Sequence, residues 1–313
     1  MNNKKLNILF LGAGKKISLI ERFISAGLEI GFNLNLFSYE KTLDVAVSKY
    51  CTIIVGKKWD DPEVISDIKN QLVHNSIDII VTCVDPAIML AAKLKDNEKD
   101  VFIPSSSKEM CEITYDKSKA NDWFDKIGVL IPQKTRRFPS IAKPKKGSAS
   151  QGIYILNNEL DEKYFLEKEN SSQYIVQEFI AGDEYTVDAY VNRNREIVGI
   201  IPRIRLEVIG GESIKSITKR NEQIISITEK ILTEGEFVGP ITLQFIKSHC
   251  NNLPYLIEIN PRLGGGVINS IEAGLNIPLF ILKDSLNMPI DKIYTWKENL
   301  LMARGYNEVF ICK

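Results

Sequence analysis

The sequence is poor in the residues that build metal centres, disulfide frameworks and many catalytic triads. Its 313 residues include five scattered cysteines and two histidines, His74 and His249. Neither histidine has a Cys or His neighbour in sequence, so we expect no zinc site and no Ser–His or Cys–His catalytic arrangement. An odd number of widely spaced thiols argues against a disulfide framework and fits a reducing compartment, so we expect a cytoplasmic protein.

Long apolar runs and a net charge are also missing. No stretch approaches the ~20 apolar residues that span a bilayer, and the apolar core near the N-terminus is too short for an export signal, so we expect no membrane association. The 40 basic residues balance the 40 acidic ones, which argues against a general nucleic-acid surface. A composition of 44% apolar and 26% charged residues is typical of a globular protein.

Strand and helix patterns alternate over the first hundred or so residues. The segment LNILFLGAG predicts a buried strand that enters a glycine turn, and a helical pattern follows it. The same succession recurs up to SIDIIVTCVD and the helix after it. This alternation predicts an α/β domain with a parallel, doubly wound sheet, which we assign to residues 1–112.

The glycine turn LGAGKK does not match a nucleotide-binding fingerprint. A dinucleotide motif requires a third glycine where Ile17 stands, and a P-loop requires Ser or Thr where Lys16 stands. A tight strand-to-helix turn explains these glycines. The turn and Asp85 both follow predicted parallel strands, where ligands bind in such sheets, so they are candidates for substrate contact.

Beyond residue 112 the pattern changes to period-two alternation interrupted by glycine turns. The segments RFPSIAKPKKGSASQGIYIL, QYIVQEFIAGDEYTVDAYV and EIVGIIPRIRLEV predict antiparallel hairpins, and another hairpin joins GPITLQFI to PYLIEIN. Helices are expected over TYDKSKANDWFDK and VINSIEAGLN. The second part of the chain is therefore expected to be an α+β fold with antiparallel sheets.

The segment LIEINPRLGGG ends an apolar strand in a group of polar side chains. Glu258 and Asn260 share one face of the strand, because successive side chains point to opposite faces. If the preceding hairpin centres on Asn251, Gln244 lies opposite Glu258 and joins the group. Such an oxygen-rich cluster suits Mg²⁺, although the polar face of a half-exposed strand explains the alternation as well.

Two further segments have features of a nucleotide site. Lys143 ends a predicted strand and precedes a loop of Gly, Ser and Ala, whose backbone N–H groups can approach a phosphate closely; a solvated turn is the alternative. Glu184, Thr186 and Asp188 share a strand face, and Glu184 can accept hydrogen bonds from ribose hydroxyls. An amphipathic hairpin with one wet face explains that alternation equally well.

Arg203 and Arg205 are candidates for catalysis. They alternate on a predicted strand and therefore face the same way. Because a guanidinium group matches planar anions, they could hold a substrate carboxylate or an acyl phosphate. A surface ladder of ion pairs is the alternative.

Five motifs occur in the order found in the ATP-grasp superfamily: DK before a helix, IAKP with its Gly/Ser loop, VQEFIAGDE, GPITLQF and IEINPRLGGG. Over residues 112–275 the chain most resembles one synthetase half of carbamoyl-phosphate synthetase and related carboxylate–amine ligases. The resemblance implies an ATP-grasp lid subdomain over residues 113–182 and a core subdomain with the metal site over residues 183–313. We find no equivalent of a second synthetase half or a glutaminase partner, so complete carbamoyl-phosphate synthesis is not expected.

The resemblance also implies a role for individual residues. Two lysines would hold ATP phosphates under a glycine-containing lid loop, a three-residue hinge would line the adenine, and one glutamate would hold the ribose. These residues are Lys117, Lys143, Gly147, Ser148, Gly152, Glu178, Phe179, Ile180 and Glu184. The implied ligands of Mg²⁺ or Mn²⁺ are Gln244, Glu258 and Asn260, although many relatives carry a carboxylate where Gln244 stands. Arg262 would stabilise the transferring phosphoryl group.

A ligase reaction in two steps is implied. A substrate carboxylate attacks the γ-phosphate of Mg-ATP, and an amine then displaces phosphate from the acyl phosphate to form an amide. The expected partners are a small carboxylate and a small amine, and a homodimer is expected by base rate. A non-catalytic ATP-sensing module and a phosphotransferase that stops at the acyl phosphate are the alternatives.

Overall fold

A computed structural model describes residues 4–147, 151–305 and 308–311 of the chain. Its N-terminal part is a parallel sheet of four strands in the order β3–β2–β1–β4. The strands and crossover helices are β1 (Lys4–Leu11), α1 (Ile17–Glu29), β2 (Phe32–Glu40), β3 (Thr52–Val55), α2 (Val64–His74), β4 (Ile79–Thr82) and α3 (Ile88–Asn97).

Helices cover both faces of this sheet, as the unbroken apolar run in β1 predicts. Phe10 of β1 points to one face and meets Phe23 of α1, with ring centroids 5.0 Å apart. Leu9 points to the other face and packs with residues of α2 and α3, among them Ile68 and Ala91. The predicted doubly wound sheet is therefore confirmed.

The remainder of the chain contains two antiparallel sheets. The smaller one has the order β6–β5–β7 and the larger one the order β12–β11–β8–β9–β10–β13. Their elements are α4 (Lys108–Tyr115), α5 (Lys117–Lys126), β5 (Ser140–Pro144), β6 (Tyr154–Leu156), α6 (Glu159–Lys168), β7 (Tyr174–Glu178), β8 (Gly182–Val191), β9 (Ile197–Ile209), β10 (Glu212–Thr218), α7 (Glu222–Glu234), β11 (Gly239–Ser248), β12 (Pro254–Asn260), α8 (Val267–Ala273), α9 (Ile277–Ser285) and β13 (Leu301–Ala303).

The six-stranded sheet separates an apolar face from a polar one. Val187 of β8 and Leu243 of β11 pack, in one core cluster, with Phe124 of α5 and Ile231 of α7. Because side chains alternate along a strand, the residues at even positions of β8 and β11, such as Gln244, point to the opposite face. Helices α5 and α7 therefore bury one face. The other carries polar side chains and is partly covered by α8 and α9, where Ser270 meets Asp188 and Phe280 meets Tyr190.

The C-terminal helical segment differs from the prediction over VINSIEAGLN. Helix α8 ends at Ala273, where Gly274 takes a φ of +128°, and α9 then begins at Ile277. Helix α9 belongs to the same core cluster as α1, through residues such as Leu282. It therefore helps to cover the first sheet from the far end of the chain.

The proposed domain boundary at residue 112 falls within α4 and the one at residue 182 falls at the first residue of β8, and the division stays a prediction. Within the described ranges, no helix combines the length and the apolar composition that crossing a membrane requires.

Candidate active site

A row of polar residues crosses four strands on the face of the six-stranded sheet that lies opposite α5 and α7. Glu258 of β12 lies opposite Gln244 of β11, Gln244 opposite Thr186 of β8, and Thr186 opposite Arg203 of β9. The register predicted from a hairpin centred on Asn251 is thus confirmed at Gln244 and Glu258. It shifts immediately afterwards, between Gln244 and Phe245, where the strand pair is irregular.

The three predicted metal ligands are in contact with one another. Gln244 Nε2 donates to Glu258 Oε1 at 2.8 Å, and Asn260 Nδ2 donates to the same oxygen at 2.9 Å. Among the described residues, neither Glu258 Oε2 nor Asn260 Oδ1 takes part in a hydrogen bond. A carboxylate oxygen and an amide oxygen on one strand face match the ligands that Mg²⁺ prefers, so this pair fits a divalent cation.

Arg205 lies beside this group on β9. Its guanidinium lies 3.2 Å from Glu184 Oε2 and donates to Gln244 Oε1 at 3.3 Å. The Arg205 side chain is only 9% exposed, while that of Glu184 is half exposed. Burial lowers the pKa of Arg205 from its ordinary value, and the field of Glu184 opposes this effect. The carboxylate of Glu184 therefore already has a fixed cationic partner, Arg205.

Arg203 is placed differently from Arg205, although both point to the same face. It is 1% exposed and its Nε donates to Asp188 Oδ2 at 2.8 Å. Ser270 Oγ donates to the same Asp188 oxygen at 2.7 Å. A Cβ on Gly266 would come within 2.7 Å of the guanidinium, so the glycine segment has room for this arginine only because it lacks side chains. Arg203 thus lies in a buried ion pair beneath the site, and its predicted role in catalysis stays a prediction.

The two predicted phosphate lysines lie close together at the edge of the three-stranded sheet. Lys143 is 7% exposed, and burial lowers its pKa, an effect that the charge of Glu258 opposes and that of Lys117 reinforces. The Lys117 N–H donates to Lys145 O at 2.8 Å, which ties the start of α5 to the end of β5. Lys117 Nζ reaches Gly147 O at 3.0 Å.

The predicted lid loop is bounded by glycines in the left-handed region. Gly147 has a φ of +127° and Gly152 a φ of +68°. A Cβ on Gly152 would also come within 3.2 Å of both Pro144 and Tyr174, so a side chain there would be strained and crowded. Ser148 lies outside the described residues.

The predicted adenine hinge follows β7. The N–H of Glu178 donates to Gln133 O, and Glu178 Oε1 accepts from the N–H of Gln133, both at 2.9 Å. The Phe179 N–H donates to Pro139 O at 3.2 Å, while the Phe179 ring is 37% exposed. Ile180 is half-buried. The carboxylate of Glu178 therefore fixes the hinge rather than pointing into open space.

A cleft lies where the first sheet meets β12. Arg262 Nε donates to Asp85 Oδ1 there, which joins the carboxyl edge of the first sheet to the segment after β12. Sequence reasoning singled out both residues but not their pairing, because they are 177 residues apart. It missed Cys111 and Thr114, which line the cleft from α4, because nothing in a short amphipathic helix marks them as site residues.

Comparisons with known proteins agree with the motif order and with the fold. A family model described as "ATP-grasp in the biosynthetic pathway with Ter operon" matches residues 170–306. The chain is 32% identical over 155 residues to a D-alanine–D-alanine ligase of Petrotoga mobilis, covering 44% of this chain and 51% of that protein. It is 25% identical over 202 residues to the carbamoyl phosphate synthase large chain of Clostridium beijerinckii, covering 56% of this chain and 18% of that one. The chain thus spans about half the length of the first relative and less of the second.

Solved structures share the fold over almost the whole chain. N5-carboxyaminoimidazole synthetase from Staphylococcus aureus, complexed with ADP, aligns with a TM-score of 0.73 at 16% identity, covering 93% of this chain and 80% of that one. The biotin carboxylase domain of Hydrogenobacter thermophilus 2-oxoglutarate carboxylase aligns with a TM-score of 0.74 at 14% identity, covering 92% and 70%. The sheet order, the motif order, the family model and these alignments point the same way, and the resemblance to the ATP-grasp superfamily expected from the sequence is confirmed.

Proposed function

We propose that this protein is an ATP-dependent carboxylate–amine ligase. The observation that carries the proposal is the convergence of Lys143, Glu258, Asn260 and Arg262 on one side of the sheet, next to a cleft that also reaches Asp85 of the first sheet. Cations for phosphates, oxygen ligands for a divalent ion and room for a further substrate thus occur together.

ATP and Mg²⁺ account for the types of side chain in the site. Lys117 and Lys143 neutralise the phosphates, and Glu258 and Asn260 hold the ion through the oxygens that take no hydrogen bond among the described residues. The backbone N–H groups of Glu178 and Phe179 donate within the protein. A base edge at the hinge would therefore contact Ile180 or the carbonyl oxygens of the segment.

Catalysis by this site consists of positioning and charge neutralisation. The carboxylate substrate takes the γ-phosphoryl group of ATP, and an amine then displaces phosphate from the acyl phosphate to give an amide. Arg262 orients the transferring group, and the lysines stabilise the negative charge that leaves with ADP. As the resemblance implies, the loop between Gly147 and Gly152 would fold over the phosphates and keep water from the acyl phosphate.

The relatives support this reaction class without naming the substrates. A D-alanine–D-alanine ligase and a carbamoyl phosphate synthase large chain match this chain over only part of their length, so the acid and the amine are open. A homodimer stays a prediction.

The decisive experiment is ADP release measured across a library of small acids and amines with the wild type, Glu258→Ala and Glu207→Ala. Glu207 lies on the same sheet and pairs with Lys215 at the surface, which makes it a matched control. We expect Glu258→Ala to lower ADP release by at least about 100-fold and Glu207→Ala to leave it unchanged. Unchanged turnover in a folded Glu258→Ala variant would contradict the assignment.

The same library distinguishes the alternatives. Nucleotide binding without ADP release for any acid and amine would indicate a sensing module. Hydroxylamine trapping of an activated acid without any amide product would indicate a phosphotransferase.

A further inference from the structure

The carboxylates that face the candidate site differ in their partners. Asp85 pairs with Arg262, Glu184 with Arg205 and Asp188 with Arg203. Among the described residues, Glu258 alone of these four carboxylates forms no ion pair. One carboxylate is therefore left for a divalent cation.

Gln244 cannot add a second negative ligand to this site. Its side chain is neutral, its Nε2 donates to Glu258, and its Oε1 accepts from Arg205 at 3.3 Å. Both ends of the amide are thus engaged by protein groups. A glutamate at this position would offer a carboxylate to a metal, whereas the glutamine offers its oxygen to an arginine.

Arg205 is fixed in place by partners other than Gln244. Its Nε donates to Ser213 Oγ at 3.2 Å and its Nη2 to Gly211 O at 2.8 Å. A buried guanidinium held by a hydroxyl, a carbonyl and a carboxylate is a permanent positive charge on this face. A second divalent ion beside it would meet like-charge repulsion and would find no protein carboxylate of its own, because the phosphates alone would supply its anionic ligands.

We propose that the site takes a single divalent cation, on Glu258 and Asn260, and that Arg205 supplies the second positive charge beside Gln244. This inference rests on the proposed function. In this arrangement the phosphates meet two positive groups, the divalent cation and the Arg205 guanidinium, although the site has only one free carboxylate among the described residues. Two-metal sites place their ions about 3.5–4 Å apart, and the guanidinium takes the place of one of them.

Counting bound Mn²⁺ by electron paramagnetic resonance tests this directly. The protein is titrated with Mn²⁺ in the presence and absence of the non-hydrolysable analogue β,γ-imido-ATP. We expect one additional Mn²⁺ per chain when the analogue is present, with the spectrum of an isolated ion. Two ions per chain, or the spectrum of a coupled pair, would overturn the inference while leaving the proposed function intact. Failure to bind the analogue at all would refute the proposed function, and this inference with it.

A charge-matched pair of double variants sharpens the test. Arg205→Met with Gln244→Glu frees Glu184 and adds a carboxylate, so we expect two Mn²⁺ per chain. Arg220→Met with Gln223→Glu makes the same charge change at the surface near α7, and we expect it to keep one. If the folded site variant also keeps one, Arg205 does not occupy the place of a second ion.

Discussion

Lys143 lies almost fully buried at the end of β5, within the electric fields of Lys117, Glu184 and Glu258. Burial lowers its pKa from the ordinary value of 10.5. The buried, charged ammonium group therefore lowers the stability of the protein without ligand, and a bound triphosphate would neutralise its charge. Such a group is stabilised by the ligand rather than by the fold.

We expect Lys143→Met to raise the free energy of unfolding by about 0.5–2 kcal/mol at neutral pH while abolishing nucleotide binding. The unfolded chain binds the Lys143 proton more tightly than the folded one, so the penalty is full below the folded pKa and fades as pH rises towards 10.5. The stability gain of the variant should shrink over the same range, measured by urea unfolding. Lys146→Met, at an exposed neighbouring position, is the control. A loss of stability in Lys143→Met would contradict this account.

Residue pairing could be predicted only in part from the sequence. Counting across a hairpin centred on Asn251 places Gln244 opposite Glu258, but the strands nearer the turn pair Phe245 with Leu256, so this contact depends on the irregularity between Gln244 and Phe245. The distinct environments of Arg203 and Arg205 could not be predicted in this way. Both alternate on one strand, but the partners that distinguish them, Asp188 and Glu184, differ in depth within the sheet. The burial of each side chain depends on which residues pack over it, and a period-two pattern in the sequence gives no information about that packing.

At the scale of elements, the phosphate lysines depend on how α5 begins. Asp116 caps this helix, because its side chain accepts hydrogen bonds from the N–H groups of Ser118 and Lys119. The cap fixes the first turn, and Lys117 in that turn bonds to Lys145 O and Gly147 O. Helix capping and phosphate binding are therefore coupled here.

Asp116→Ala should cost about 1 kcal/mol of stability, as is usual for a lost cap. It should also weaken binding of β,γ-imido-ATP by about 2- to 10-fold, because Lys117 loses its anchor. Asn158 caps α6 in the same way. Asn158→Ala should cost similar stability and leave nucleotide affinity unchanged, with unfolding and calorimetry as the two measurements. Equal affinity losses in both variants would show that the cap acts only through stability.

Most elements could be predicted, and the exceptions have a physical reason. The parallel strands of the first sheet and the hairpin β11–β12 are confirmed, because their apolar periodicity and turn residues are strong. Helix α6 was missed because its residues are mostly polar and present one fully buried side chain, Phe165. Helix α9 was missed because its nearly continuous apolar run, broken by Pro278, has no helical period. Its burial against α1 becomes visible only in three dimensions.

At the scale of the whole molecule, the first and last parts of the chain are joined twice. Helix α9 lies in the core cluster of α1, and Arg22 of α1 pairs with Glu272 of α8 at 2.6 Å. On the cleft side, Asp85 and Arg262 connect the first sheet to the segment after β12. The relative position of the first sheet and the candidate site is thus fixed by packing and by charge.

A fragment of residues 1–112 should therefore fold poorly by itself. It lacks α9, so the part of the apolar cluster that α9 covers beside α1 would be left in water. For the fragment we expect a weak near-ultraviolet circular dichroism signal and strong binding of a hydrophobic dye. We expect neither for the full chain. A fragment that unfolds cooperatively would show that the first sheet is independent of α9.

The central claim is that the polar face of the six-stranded sheet binds a metal–nucleotide complex. A crystal structure with β,γ-imido-ATP and Mn²⁺, phased at the manganese edge, tests it most directly. We expect one anomalous peak in contact with Glu258 and Asn260, with phosphates against Lys143 and Lys117. Nucleotide density away from Lys143, or manganese bound without Glu258, would contradict it.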